Sequence, residues 1–143
     1  MLVHSTKLKD CLVIEPKVFG DNRGFFLETF SKQRYREETG ITLEFVQDNH
    51  SRSAKGVLRG LHFQKTKPQG KLIRVVRGSV FDVAVDIRPE SDTFGQWTSV
   101  ELSEQNKKQL WVPPGFAHGF TALSDRTELE YKCTAYYDPE DER

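Results

Sequence analysis

The sequence lacks the features that identify membrane, secreted and zinc-binding proteins. No apolar run in its 143 residues approaches the length of a membrane span, and the N-terminus has no hydrophobic segment of the kind found in signal peptides. The two cysteines, Cys11 and Cys133, fit no CxxC or zinc-ligand spacing. We therefore expect free thiols in a soluble, cytoplasmic protein that has no membrane partner.

Common catalytic and cofactor motifs are also missing. There is no His-x-His pair, no Gly-x-Ser-x-Gly elbow and no glycine-rich phosphate loop followed by lysine and serine. The residues two positions from His62 are Gly60 and Gln64, and His118 has no acidic or histidine neighbour within four positions. We therefore expect neither a metal nor another cofactor, because a first-row metal needs several converging ligands.

The charge is balanced overall and uneven along the chain. Twenty-one basic and 21 acidic residues give no global field that would attract nucleic acid. Between positions 49 and 81, however, no acidic residue occurs, and the basic ones are Arg52, Lys55, Arg59, Lys65, Lys67, Lys71, Arg74 and Arg77. This basic block is typical either of a site for a compact anion, such as a phosphate ester, or of solvated strand faces. The pattern leaves both interpretations open.

Period-two alternation predicts an all-β chain. Apolar and polar residues alternate over positions 80–87 and 128–135, and 72–76 and 97–102 also have strand composition. Turn signals separate these runs, which is typical of a sandwich or barrel, and no linker divides residues 1–143 into more than one domain. One helix is predicted from an N-cap at Ser31 to Thr39, with Gly40 beyond its end. A second helical turn is predicted at 103–106, capped by Ser103.

The segment 57–64, Val-Leu-Arg-Gly-Leu-His-Phe-Gln, is the strongest candidate for a functional strand. Arg59 and His62 are three residues apart, so they would face opposite sides of a regular strand. Gly60 between them predicts a bulge, and the extra residue would bring both side chains to one face. His118 follows a Pro-Pro-Gly turn, which predicts a place near a barrel mouth. Together with Lys71, Tyr131 and Asp82 on other strands, these residues form a candidate proton-transfer set.

The combined motifs resemble the dTDP-4-dehydrorhamnose 3,5-epimerase family over nearly the whole chain. The matching segments are 15–26, 45–51, 56–64, 68–72, 80–88, 113–120 and 131–134. The resemblance implies a cupin-type double-stranded β-helix, or jelly roll, without a metal. It also implies a homodimer that exchanges N-terminal strands, and a dTDP-linked 4-keto sugar as substrate.

The resemblance also implies residue roles. His62 would be the base, Lys71 would stabilise the enolate oxygen, and Tyr131 would be the acid that reprotonates from the opposite face. Substrate-binding roles carry over to Arg23, Phe26, Glu28, Gln47, Asn49, Arg59, His118 and Glu142. Phe26 would contact the thymine, and part of this set would come from the partner subunit.

One family feature has no counterpart in this sequence. Family members continue past the equivalent of Arg143 into a tail whose aspartate pairs with the catalytic histidine, and Asp82 is a hypothetical substitute here. Two alternatives to a double epimerase stay open. One is a C3-only epimerase or ketoisomerase of another dTDP-deoxysugar pathway, and the other is a nucleotide-sugar-binding module without turnover.

Overall fold

The computed structural model describes residues 1–143 as twelve strands and one helix. The strands are β1 Leu2–Ser5, β2 Leu12–Glu15, β3 Val18–Asp21, β4 Gly24–Leu27, β5 Gln47–Ser53, β6 Leu58–His62, β7 Lys71–Arg77, β8 Ser79–Asp86, β9 Trp97–Ser103, β10 Gln109–Val112, β11 Phe116–Ala122 and β12 Thr127–Cys133. The helix, α1, spans Lys32–Thr39, and no helix is long and apolar enough to cross a bilayer.

Two antiparallel sheets face each other. The larger has the order β1-β2-β10-β7-β12-β5, the smaller has the order β6-β11-β8-β9, and β3 and β4 form a separate hairpin. The main apolar cluster fills the space between the sheets and includes Ile73, Val80, Leu110, Phe120 and Leu129. This is the predicted all-β jelly roll, in which two facing sheets enclose one interior.

Local signals set the limits of α1 as predicted. The Ser31 hydroxyl accepts a hydrogen bond from the Arg34 amide at 3.3 Å, and Gly40 ends the helix at a φ of 77°. The second predicted helical turn is wrong, because residues 104–106 form only a turn. Ser103 and Asn106 exchange side chain-to-backbone hydrogen bonds of 3.0 Å, and the positive φ of 53° at Lys107 then leads the chain out of helical geometry.

Strand β8 shows how the interior differs from an ordinary core. Its alternation is as predicted, but the buried side carries Val80, Asp82, Ala84 and Asp86, whereas Phe81 on the other side is exposed. Two carboxylates therefore point into the jelly roll. Buried carboxylates need partners, so this strand draws polar groups from the neighbouring strands inward.

Both cysteines are free, as predicted, and the structure shows that both are buried. Burial raises the pKa of the Cys11 thiol to about 12 and that of Cys133 to about 11. Both side chains therefore stay protonated at neutral pH and pack as small apolar groups.

Candidate active site

The bulge predicted at Gly60 is present. His62 lies opposite His118 and Arg59 lies opposite Phe120, so a step of three residues on β6 matches a step of two on β11. Gly60 has a φ of 102°, and a Cβ atom there would lie 2.6 Å from the carbonyl oxygen of His118. Only glycine fits this close approach. The bulge turns the side chains of Arg59 and His62 to the same interior face.

A narrow cavity lies at this end of the interior. Its lining residues are His62, Phe63, Gln64, Pro68, Gln69, Lys71, Val112, Phe116 and His118. The predicted convergence of His62 with Lys71 is therefore present, although the two residues are 9 positions apart in sequence. Titratable groups that meet in a concave pocket are the usual mark of a catalytic site.

Lys71 and Tyr131 lie side by side on neighbouring strands of the larger sheet. The ammonium nitrogen of Lys71 is 5.6 Å from the centre of the Tyr131 ring. Burial lowers the pKa of Lys71, and the Asp82 and Glu142 carboxylates act against that shift. Burial raises the pKa of Tyr131, while a hydrogen bond with Asn49 works the other way. The phenol therefore keeps its proton at neutral pH, as a general acid requires.

The hypothesis that Asp82 pairs with His62 is wrong. Asp82 Oδ1 lies 2.7 Å from Nε2 of His118, and β11, which carries His118, runs between β8 and β6. His62 instead has Glu142 as its ion-pair partner, with 3.8 Å between Nδ1 and Oε1. Glu142 approaches from a C-terminal segment that the residue spacing did not connect with His62.

His118 lies deeper than predicted. Its side chain is only 7% exposed, in the middle of β11, and it does not stand at an open mouth. Asp82 beneath it is fully buried, and its Oδ2 atom has no hydrogen-bond partner. The cavity wall therefore contains a histidine–carboxylate pair with one free acceptor.

Three other predicted binding residues stand on the interior side near Tyr131. Asn49 is opposite Tyr131 in the β5–β12 register, and its Oδ1 accepts a hydrogen bond from the Gln47 side chain at 3.0 Å. Arg59 donates from Nε to the Ser53 hydroxyl at 2.9 Å. Strands β5 and β6 thus extend the polar surface away from the cavity.

Arg23, Phe26 and Glu28 are not brought to the cavity within one chain. Arg23 and Phe26 belong to the β3–β4 hairpin, where Arg23 pairs with Asp21 at 2.6 Å and Phe26 is exposed. Glu28 follows the hairpin and pairs with Arg34 at 3.0 Å. This separation agrees with the expectation that part of the binding set serves a partner subunit.

The basic block divides between the two interpretations that the sequence left open. Arg59 and Lys71 face the interior and stand near the site. Arg74 instead pairs with Glu130 at 3.0 Å, and Lys67 pairs with Asp138 at 3.1 Å, so these are surface ion pairs. Arg59 and Lys71 therefore bring positive charge to the site, whereas Arg74 and Lys67 do not.

A wider depression lies on the outside of the larger sheet, and its lining includes Asn49 and Tyr131. Its charged groups already have partners: Arg74 pairs with Glu130, and Lys132 pairs with Asp48 at 3.1 Å. Self-paired surface charges offer little to a ligand. We therefore place the site in the interior cavity.

Sequence reasoning missed the residues that support Glu142. The Tyr137 hydroxyl donates to Glu142 Oε2 at 2.7 Å, and Gln64, which is buried, donates to the Lys67 carbonyl at 2.8 Å. One signal was available for Gln64, because it lies two residues beyond His62 and so shares its side of an extended segment. Tyr137 and Asp141 stand in an acidic run that resembles a solvated surface.

A jelly roll whose interior gathers a histidine, a partly buried lysine and a partly buried tyrosine defines a class: enzymes that move protons at carbon next to a carbonyl. The comparisons with known proteins agree. The family model described as dTDP-4-dehydrorhamnose 3,5-epimerase matches residues 5–143. The chain belongs to this family of isomerases.

Individual relatives cover nearly all of the chain. The dTDP-4-dehydrorhamnose 3,5-epimerase of Salmonella typhimurium is 59% identical over 99% of this chain and 78% of its own length. The 3,5-epimerase of Legionella pneumophila, solved in complex with dTDP-4-keto-L-rhamnose, superposes with a TM-score of 0.96 at 58% identity, over 99% of this chain and 75% of that one. A 3'-monoepimerase from Streptomyces bikiniensis, in complex with dTDP-quinovose, has a TM-score of 0.91 at 32% identity, over 98% of this chain and 71% of that one.

Proposed function

We propose that the protein converts dTDP-4-dehydro-6-deoxy-D-glucose to dTDP-4-dehydro-L-rhamnose by inverting C3 and C5, a step of dTDP-L-rhamnose biosynthesis. The observation that carries the proposal is the meeting of His62, Lys71 and Tyr131 around one interior site. Family membership supports the same reaction, because the more similar relatives are double epimerases.

The first step is removal of a proton from the carbon beside the C4 ketone. His62 takes the proton, and the electron pair of the broken C–H bond moves into an enolate whose charge lies on the ketone oxygen. Nδ1 of His62 faces Glu142, which leaves Nε2 for the substrate. Lys71 stabilises the enolate oxygen, since an ammonium group in a desolvated site acts strongly on developing negative charge.

The second step returns a proton to the other face of the sugar. Tyr131 stands on the larger sheet and His62 on the smaller, so the two groups approach the interior from opposite sides. The phenol O–H bond breaks as the new C–H bond forms, the enolate electrons return to carbon, and the configuration inverts. Solvent then reprotonates Tyr131 and takes the proton from His62. The same two residues act at C3 and at C5.

Binding of the nucleotide uses the polar surface around the cavity. Arg59 suits the diphosphate, because its planar guanidinium can hold two phosphate oxygens. In this proposal Gln47, Asn49 and His118 contact the sugar and nucleoside, and Glu142 contacts only the sugar, beside His62. No further cofactor takes part, because the ketone of the substrate itself acidifies both C–H bonds.

We further propose that residues 1–143 act as one domain within a cytoplasmic homodimer. The outer face of the smaller sheet supports the dimer, since it exposes large apolar side chains, Leu58, Leu61, Phe81 and Trp97. In the dimer, the β3–β4 hairpin would carry Arg23, Phe26 and Glu28 to the partner's cavity. Within the single chain, β1 pairs with β2, so the proposed strand exchange would replace this pairing.

Turnover in deuterium oxide tests the reaction. Label at both C3 and C5, with NADPH consumption when the next-step reductase is added, is the expected result. Label at C3 alone would assign the chain to single-centre epimerases such as the Streptomyces bikiniensis relative. Bound dTDP with no label at either carbon would indicate a binding module.

Mixed dimers test the shared site. The His62→Ala and Arg23→Ala variants are each expected to lose proton exchange. In a mixed dimer with one subunit of each variant, however, one of the two sites combines an intact His62 with an intact Arg23. Co-refolded protein should therefore recover about a quarter of wild-type activity, because a two-fold interface repeats each contact. Recovery would be absent if both residues served the same chain's site.

A further inference from the structure

Asp141 is an anchored carboxylate outside the catalytic set. The residue is 6% exposed, and its two oxygens accept hydrogen bonds from the Thr66 amide at 2.9 and 3.0 Å, the Thr66 hydroxyl at 2.7 Å and the Lys67 amide at 2.8 Å. These hydrogen bonds lower the pKa of Asp141, and the bond from the Thr66 hydroxyl has the largest influence. A charged carboxylate with this many donors is firmly fixed in place.

The backbone on both sides of Asp141 runs along the chain that follows His62. Phe63 and Arg143 exchange backbone hydrogen bonds of 3.3 and 2.9 Å, and the Lys65 amide donates to the Asp141 carbonyl at 3.2 Å. Glu142 lies opposite Gln64 in this antiparallel pairing. The segment 136–143 contributes no residue to either apolar cluster, so hydrogen bonds hold it in place.

This anchoring fixes the position of Glu142. Its Oε1 lies 3.8 Å from Nδ1 of His62, and its Oε2 accepts the hydrogen bond from Tyr137. At 3.8 Å the carboxylate is beyond hydrogen-bond distance of the imidazole and acts through its charge. A nearby negative charge stabilises the imidazolium that forms when His62 takes a proton.

We infer that Asp141 is a positioning residue: by clamping its segment to Thr66 and Lys67, it seats Glu142 against the catalytic base. The inference rests on the proposed function, in which His62 abstracts the substrate proton. Asp141 itself touches neither His62 nor the cavity. Its whole effect on the reaction therefore passes through Glu142.

A double-mutant cycle on proton exchange tests this dependence. Asp141→Asn keeps one acceptor for Thr66 but cannot accept from the Lys67 amide. We expect both Asp141→Asn and Glu142→Gln to lower kcat for deuterium incorporation about tenfold, and Asp141→Asn to leave dTDP affinity within about twofold. The Asp141→Asn/Glu142→Gln double variant should be no slower than Glu142→Gln alone. Glu140→Gln is the matched control, because it removes an exposed carboxylate of the same segment and should leave kcat unchanged.

Three outcomes would overturn the inference. The first is that Asp141→Asn keeps the wild-type kcat. The second is that adding Asp141→Asn to Glu142→Gln lowers kcat by as much as Asp141→Asn does alone. The third is that Asp141→Asn weakens dTDP binding by the same factor as it lowers kcat. If Asp141→Asn does not fold, Thr66→Val replaces it in the cycle, because it removes only the hydroxyl donor, and the same coupling is expected. If the wild-type protein incorporates no deuterium into the sugar, the proposed function is overturned as well. If the wild-type protein is active but the double-mutant cycle shows no coupling, only this inference is overturned.

Discussion

Two aspartates on one strand have the same burial and different surroundings. Asp82 and Asp86 both lie on β8, both are fully buried and both point into the interior. Asp86 is surrounded by donors at one end of the strand, whereas Asp82 lies behind His118, which lines the cavity. The comparison separates a carboxylate that holds the fold from one that belongs to the site.

Asp86 has every acceptor position occupied. It takes hydrogen bonds from the Arg88 amide and guanidinium at 3.0 Å and from the hydroxyls of Ser91 and Thr93 at 2.5 Å. Burial alone would raise the pKa of Asp86, but the hydrogen bonds from Arg88, Ser91 and Thr93 hold it well below its usual range. These contacts tie β8 to the loop that leads to β9.

Asp82 has a single partner, His118, and one oxygen without any hydrogen bond. A buried acceptor left unpaired costs about 1–3 kcal/mol, so the arrangement is not the most stable one for the fold. The negative charge instead acts on Lys71, whose pKa it raises against the effect of burial. The unmet hydrogen-bonding capacity therefore belongs to the carboxylate that holds His118 of the cavity wall.

The largest loss of exchange in this comparison should come from Lys71→Met. Removing the ammonium group should slow deuterium incorporation by about 10²–10³-fold, as for other groups that stabilise an oxyanion. The control is Lys132→Met on the outer face of the same sheet, which should keep wild-type exchange.

The same variant should be more stable than wild type at neutral pH. Burial lowers the pKa of Lys71, so folding carries a penalty that is fully present below the folded pKa and disappears as pH rises towards the unfolded value near 10.5. Thermal melts should show a gain that shrinks with rising pH. A variant less stable than wild type at every pH would contradict this account of Lys71.

Asp82→Asn should have an intermediate effect. Exchange is expected to fall by about an order of magnitude, because a carboxylate that holds an imidazole affects the rate on at least this scale. Stability should change by less than about 1 kcal/mol, since the amide oxygen still accepts from His118 and one unpaired buried polar group replaces another. A large loss of stability with full exchange would place Asp82 in the same structural class as Asp86.

Asp86→Asn should leave exchange per folded molecule unchanged and lower stability most. Breaking a buried ion pair from one side typically costs about 3–5 kcal/mol. The depressed pKa of Asp86 contributes stability that is present above the unfolded value near 4 and is lost as pH falls towards the folded one. The stability of the variant should therefore fall less steeply than that of wild type as pH is lowered. Acid unfolding of the variant that matches that of wild type would contradict this.

Local features of this fold followed from the sequence, and long-range contacts did not. The limits of α1 come from Ser31 and Gly40, and the bulge comes from Gly60, because each depends on its immediate neighbours. The pairing of His62 with Glu142 spans 80 residues of sequence. No periodicity encodes such a contact, since it depends on how the last segment packs along β6.

The side of β8 that faces inward was equally hard to predict. Alternation identifies two faces but does not choose between them, and the apolar face with Phe81 would be the usual choice for a core. The polar face turns inward here because His118 and Arg88 provide partners for its carboxylates. Those partners lie on β11 and in the loop after β8, so only the folded chain shows them.

Tyr131→Phe in deuterium oxide tests the central claim most directly. With His62 and Lys71 intact, this variant should still exchange protons but should return them to the original face. Deuterium should therefore appear in the starting sugar while the reductase-coupled assay detects almost no L-rhamnose precursor. Formation of the inverted product at the wild-type rate would contradict the assignment of the base and the acid to opposite sheets.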